Sequence, residues 1–129
     1  MGTRSTTKVY LDSERKKFLC CLYGQYDGYL SGHGRQLKEF IAGKKIINGI
    51  RNDTTIDNSF NGMGCLAAAV VAHFKCDIGY FYLFPEYNME EYNYILFPGE
   101  DEAIMIEITN ADDKVMYSGH ITEMPIIDE

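Results

Sequence analysis

The segment of this sequence best equipped for chemistry covers residues 23–34. It sets Gln25, Asp27 and His33 among Tyr23, Tyr26 and Tyr29, and punctuates them with Gly24, Gly28, Gly32 and Gly34. Glycine admits positive φ and lets another group come close. A carboxylate and an imidazole can move protons, and tyrosine rings can stack on a flat ligand. Gly34 and Arg35 stand where a helix is expected to begin. Free N–H groups and the positive end of the helix dipole would favour an anion there, and Arg35 would add charge. A second glycine-rich helix start, Asn61-Gly62-Met63-Gly64, offers the same groups, with Asn61 as the expected N-cap. The candidate ligand-binding set is therefore Gln25, Tyr26, Asp27, Tyr29, His33, Gly34, Arg35, Asn61 and Gly62. The functional expectation is that both helix starts converge on one small, nucleotide-like or otherwise anionic ligand. The alternative is structural: a turn whose glycines serve only backbone shape, and two independent caps.

No complete catalytic constellation accompanies these residues. The two Gly-x-Gly steps fall short of the dinucleotide and P-loop patterns, and no Gly-x-Ser-x-Gly elbow is present. A small hydrolase using Asp27 or His33 as general base stays open as an alternative, but no catalytic residue is assigned and no cofactor is expected. Cys20, Cys21, Cys65 and Cys76 form no Cys-x-x-Cys pair, and His33, His73 and His120 stand at no zinc-ligand spacing. The acidic residues of the second half lack the calcium-loop spacing, so no metal site is expected. All four cysteines are expected to be buried or half-buried thiols in a reducing compartment. His73, on the second helix, is expected at the surface or at an interface.

A net charge of −7 argues against a duplex nucleic-acid partner, which needs clustered Lys and Arg. Positive charge gathers early, at Arg15-Lys16-Lys17 and Lys44-Lys45, which leaves room for a small anionic ligand. The first eight residues are polar and the longest apolar run, residues 65–72, is too short to span a bilayer. A cytoplasmic location without a membrane partner is the expectation. The 129 residues suit one domain over 1–129, able to bury a core without disulfides or metal.

The elements that must position the site follow from periodicity. Strands are expected at residues 7–11 and 18–23, joined as a hairpin, with the second central because both its faces are apolar. A helix is expected from about 34 to 42, with Leu37, Phe40 and Ile41 as its apolar stripe and Gly43 as its stop. Ile46, Ile47 and Ile50 suggest a further short helix or turn, and 51–59 a polar loop. A second, more buried helix is expected from about 62 to 75, turning Met63, Leu66, Val70 and Phe74 inward. Strands at 79–84, 92–97, 103–108 and 115–117 complete a four-strand C-terminal meander. The fold class is α+β: a largely antiparallel sheet, N-terminal hairpin plus meander, with two main helices on one face.

The runs Tyr23-x-Gln25-Tyr26-Asp27-Gly28-Tyr29-x-x-Gly32-x-Gly34 and Asn61-Gly62-Met63-Gly64-x-Leu66-Ala67-Ala68, with the opening Met1-Gly2-Thr3-Arg4-Ser5, resemble a family of small bacterial and phage proteins. Leu30 departs from that family's pattern, where proline is common. The resemblance transfers no activity. It implies a shared role for the two glycine-rich segments and, through phage occurrence, a part in phage–host conflict. Three readings follow: a small-molecule binding module, which is favoured; a hydrolase; and an interaction or structural subunit built on the tyrosine-rich strands 80–84 and 92–97. A homo-oligomer is compatible with all three.

Overall fold

The strand buried most completely is the one whose sequence is least apolar. A computed structural model describes residues 2–49, 55, 58–87 and 89–127. Its first strand, β1 (Ser5–Tyr10), reads Ser-Thr-Thr-Lys-Val-Tyr and is buried along its whole length. It lies inside a six-stranded sheet, flanked by β2 (Phe18–Gly24) on one side and β6 (Tyr92–Pro98) on the other. The full order is β5-β2-β1-β6-β7-β8, with β5 at Phe81–Phe84, β7 at Ile104–Asn110 and β8 at Val115–His120.

The architecture is α+β, and the sheet is mixed but mostly antiparallel. The β1–β6 pair is parallel, from Ser5 opposite Tyr92 to Val9 opposite Leu96. This corrects the four-strand meander. β6, β7 and β8 follow one another, but β5 crosses to the far side of β2 and pairs there from Cys21 opposite Phe84 to Gly24 opposite Phe81. The reason is combinatorial: β6 takes the free edge of β1, which leaves the edge of β2 for β5. A parallel pair needs a long crossover, and the chain between β1 and β6 holds both helices.

The helices are α1 (Arg35–Ile41) and α2 (Met63–Phe74). Leu37 and Ile41 of α1 join Met63, Leu66, Val70 and Phe74 of α2 in one core with Val9, Leu22, Tyr94, Leu96 and the isoleucines 104, 106 and 108. The apolar stripe expected for α2 is thus its buried stripe. Ile46 and Ile47 belong to neither a helix nor a turn. They sit in β3 (Lys45–Ile47), which pairs in parallel with β4 (Ser59–Asn61) as a separate two-stranded sheet. Ile50, most of the expected 51–59 loop and the acidic end at 128–129 lie outside the described residues.

The cysteines also need correction. Cys21 is buried and Cys20 half-buried, but Cys65 and Cys76 are exposed, and all four are free thiols. Burial pushes the Cys21 thiol up to about 11, so it is inert near neutral pH. Among the described residues, no helix is long and apolar enough to cross a membrane.

Tyr94, completely buried on β6, reaches out of the sheet to donate its hydroxyl to the Gly28 carbonyl at 2.6 Å. This bond fixes the 23–34 segment on the core. Tyr94→Phe leaves a buried carbonyl without that donor and is expected to cost about 1–3 kcal/mol. Urea denaturation reads the loss as a lower midpoint at constant slope. An unmoved midpoint would show that the bond does not hold the loop.

Candidate functional site

The 23–34 segment is not an open loop. Tyr29 is extended, and residues Leu30–Gly34 form a single π-helical turn that runs straight into α1. Gly34 is already helical, so no free helix start exists at Gly34–Arg35. The N–H groups that were to bind an anion are occupied: Gly32 and Gly34 donate to the Tyr29 carbonyl, and His33 donates to the Asp27 carbonyl at 2.7 Å. The turn is tight enough that a Cβ on Gly32 would lie 2.4 Å from the Asp27 carbonyl oxygen. Arg35 is exposed on α1. Backbone hydrogen bonding therefore leaves no free helix start for an anion at this point.

At the second glycine-rich start the expected Asn61 cap is not made. α2 has Gly62, at φ +87, as its N-cap, and no side chain caps it. Asn61 turns away, and its side-chain oxygen accepts the Gly49 N–H at 2.8 Å. It tethers the β3 end rather than capping the helix.

His33, the best-placed general base by sequence, is 2% exposed. Its Nε2 shares a hydrogen bond of 2.7 Å with the Thr7 hydroxyl of β1. Rings of Phe74, Phe81 and Tyr94 enclose it at centroid distances of 4.7, 5.6 and 5.3 Å. Its Nδ1 is buried with no hydrogen-bond partner. The imidazole pins the π-turn to the central strand and has no route to a substrate.

The remaining expected residues do come together. Gln25, Tyr26 and Asp27 form one wall of a cleft of about 460 Å³, and Ile78, Gly79 and Tyr80 form the other. The cleft opens where the β2–β5 ladder ends, past a last backbone bond from the Gln25 N–H to the Tyr80 carbonyl at 2.9 Å. The Tyr26 and Tyr80 rings meet edge to face at 5.3 Å, and both are about half exposed, at 48% and 53%. Tyr29 donates its hydroxyl to the Asp27 carboxylate at 3.2 Å. Among the described residues, Asp27 is the one charged side chain on the walls. Residues 78–80 escaped the sequence reading, which placed 79 and 80 inside a strand. Their one local signal was an Asp-Ile-Gly-Tyr turn composition.

Left-handed backbone occurs on both walls of this cleft, and elsewhere among the described residues at Arg15, Asp101, Glu102 and Asp113. Asp27 (φ +55) and Tyr80 (φ +62) both adopt the left-handed region. Aspartate visits it with some ease, whereas a bulky aromatic residue there is a true outlier. A larger cavity of about 500 Å³ lies by α1 and the end of α2, with Glu39, Phe40, Lys44 and His73 on its walls. Its polar side chains are turned onto its own rings: the His73 imidazole stacks on Phe40 at 4.0 Å, and the Lys44 ammonium sits 4.5 Å from the Phe40 centroid. It contains none of the expected residues. Among the described residues, no group of three or more His, Cys, Asp or Glu is placed to hold a metal ion.

The buried imidazole makes a measurable prediction. Burial holds the His33 pKa down to about 4, against 6.5 for a free imidazole. As pH falls, the unfolded chain therefore takes up the proton first. The native state keeps its full stability above 6.5 and loses it progressively toward 4, by about 3 kcal/mol from this group. His33→Gln can keep the Thr7 bond but cannot titrate. The gap in urea midpoint between the two proteins should change steadily from neutral pH to about 4, with the wild type losing more. A constant gap would show that His33 is not the titrating group.

No protein-family model, no curated protein and no solved structure matches the chain, so its functional reading is built from its own geometry.

Proposed function

We propose that the chain is a small-molecule binding module, and that the cleft between residues 25–27 and 78–80 recognises a nucleoside-like ligand. The observation that carries this reading is the paired strain of the walls. Asp27 and Tyr80 face the same cleft from two separate segments, both in a left-handed backbone conformation. Such conformations cost on the order of 1–3 kcal/mol each for poorly suited residues and cluster at ligand clamps. Here the strained residues bring the Tyr80 ring and the Asp27 carboxylate to one space beside the Tyr26 ring.

The lining selects the ligand's chemistry. Its volume falls within the range of small-ligand pockets. The exposed Tyr26 and Tyr80 rings offer faces for a planar heterocycle. Asp27 accepts hydrogen bonds and repels anions, and the Gln25 amide can both donate and accept. Among the described residues, no Lys or Arg lines the cleft, so a phosphate would meet no counter-charge there. The favoured ligand is a neutral or cationic ring bearing an amino group, as in a nucleoside with an exocyclic amine. The anionic part of the original expectation loses its support with the helix start.

Adenosine is the probe for this reading, with adenosine monophosphate as its charged comparison. Adenosine at about 100 times its dissociation constant should stabilise the protein by about 2.7 kcal/mol, read as a raised melting temperature. The monophosphate should stabilise it less at equal concentration. Asp27→Gly removes the carboxylate while relaxing the left-handed backbone, so it should abolish the adenosine shift and change intrinsic stability by less than about 1 kcal/mol. No shift with adenosine, or a shift that survives both Asp27→Gly and Tyr80→Ala, would sink the assignment.

A further inference from the structure

Several of the large apolar side chains left exposed among the described residues follow one another along β5 and its approach: Tyr80, Tyr82, Leu83 and Phe84. β5 is an outer strand of the six-stranded sheet. Its backbone groups on the open side can be assigned one by one. The Gln25 N–H bonds to the Tyr80 carbonyl, so in this antiparallel ladder Tyr80, Tyr82 and Phe84 turn their backbone groups toward β2. Phe81 and Leu83 then turn theirs outward.

Phe81 is already satisfied. Its N–H donates to the Gly79 carbonyl at 2.7 Å, and its carbonyl accepts the Lys75 ammonium at 2.8 Å. Pro85, the next outward position, has no N–H. The open edge therefore presents one complete donor and acceptor pair, that of Leu83, whose side chain is 63% exposed.

We propose that β5 is a homodimer interface, in which two copies join their sheets by antiparallel pairing of β5 about a two-fold axis at Leu83. Only a two-fold contact lets one residue act as donor and acceptor to its own copy. In this register, Leu83 exchanges both backbone bonds with Leu83 of the partner subunit. The Phe81 carbonyl, held by Lys75, lies opposite Pro85 of the partner subunit, which has no donor to offer. A longer foreign strand would find the Phe81 carbonyl occupied and no N–H at Pro85.

The side chains fit the same axis. Tyr82 comes opposite Phe84 of the partner subunit, and Phe84 opposite the partner's Tyr82. These pairs extend a row in which Tyr23 already stacks on Phe84 at 4.5 Å and lies 6.3 Å from Tyr82. Cross-strand aromatic pairs of this kind stabilise sheets. On the opposite face, the partner's Leu83 reaches a notch of about 320 Å³ walled by Leu22, Val71, Lys75, Phe81, Tyr82 and Leu83.

Sedimentation velocity on the full chain, diluted through the micromolar range, tests the interface. The wild type should sediment at twice the chain mass. Leu83→Pro should sediment as a monomer with an unchanged far-ultraviolet circular dichroism spectrum, because the N–H it removes points away from β2. Leu83→Lys sets two ammonium groups face to face on the axis and should also be monomeric, which decides the matter if the proline variant folds poorly. Asp27→Gly, a change in the cleft alone, should remain dimeric. A wild type that stays monomeric throughout the range, or a dimer that survives both Leu83 variants, would overturn the proposal.

Discussion

A polar strand at the centre of a sheet is the constraint on which this structure depends. Ser5, Thr6, Thr7 and Lys8 are all buried, and each buried polar group needs a partner or a favourable field. Thr6 donates to the Asn93 side chain on β6 at 2.7 Å, which places β6 beside β1. Thr7 holds His33, which brings the π-turn down onto the helix-side core. On the other face, Tyr10 donates to Glu86, tying the β5–β6 connection across the sheet. Desolvation lowers the Lys8 pKa, opposed by the Glu86 carboxylate nearby. Each of these bonds selects one segment and one position, so the polar residues of β1 specify the topology while the apolar ones supply its core.

That logic explains which parts of the fold were legible in the sequence. Period-2 and period-3.6 patterns located six strands and both helices, because those patterns report burial of local faces. The α2 stripe of Met63, Leu66, Val70 and Phe74 is the clearest case. Strand order is a long-range property and left no local trace. Ser-Thr-Thr-Lys reads as an edge, and β2, with its apolar run, reads as the centre. β2 does lie inside the sheet, but β1 lies deeper. Likewise β3 and β4 are three residues each and pair across a polar segment, too short for any periodicity to show.

The candidate site was half legible for the same reason. Gln25, Tyr26 and Asp27 gather donors, acceptors and a ring within three residues, and composition alone exposes that. The opposite wall is 51 or more residues away in sequence, and it becomes a wall only through the β2–β5 pairing. The glycines misled in an instructive way. Gly28 and Gly32 are glycines because backbone packs against them: a Cβ on Gly28 would lie 2.7 Å from the Ser5 Cβ, and the Gly28 N–H bonds to the Thr3 carbonyl. Gly28 serves the docking of the loop on residues 3–5, and Gly32 the closure of the turn on the Asp27 carbonyl. A glycine-rich run before a helix reports close approach, and the sequence does not say of what.

Cleft and sheet edge share a single anchor. The Lys75 ammonium, at the end of α2, donates to the Gly79 carbonyl at 2.9 Å and to the Phe81 carbonyl at 2.8 Å, and sits 5.3 Å from the centre of the Tyr82 ring. Gly79 and Phe81 bracket Tyr80, the residue whose left-handed backbone aims its ring into the cleft. One cation thus braces the strained wall from behind and occupies the edge carbonyl that would otherwise extend β5 pairing. A charged lysine on an open edge is a common guard against indiscriminate strand addition. Here the guard is also the brace. The backbone of β5 at its N-terminal end is committed inward to the cleft, and its only open pair is displaced to Leu83. The geometry that shapes the site therefore limits where a second sheet can join.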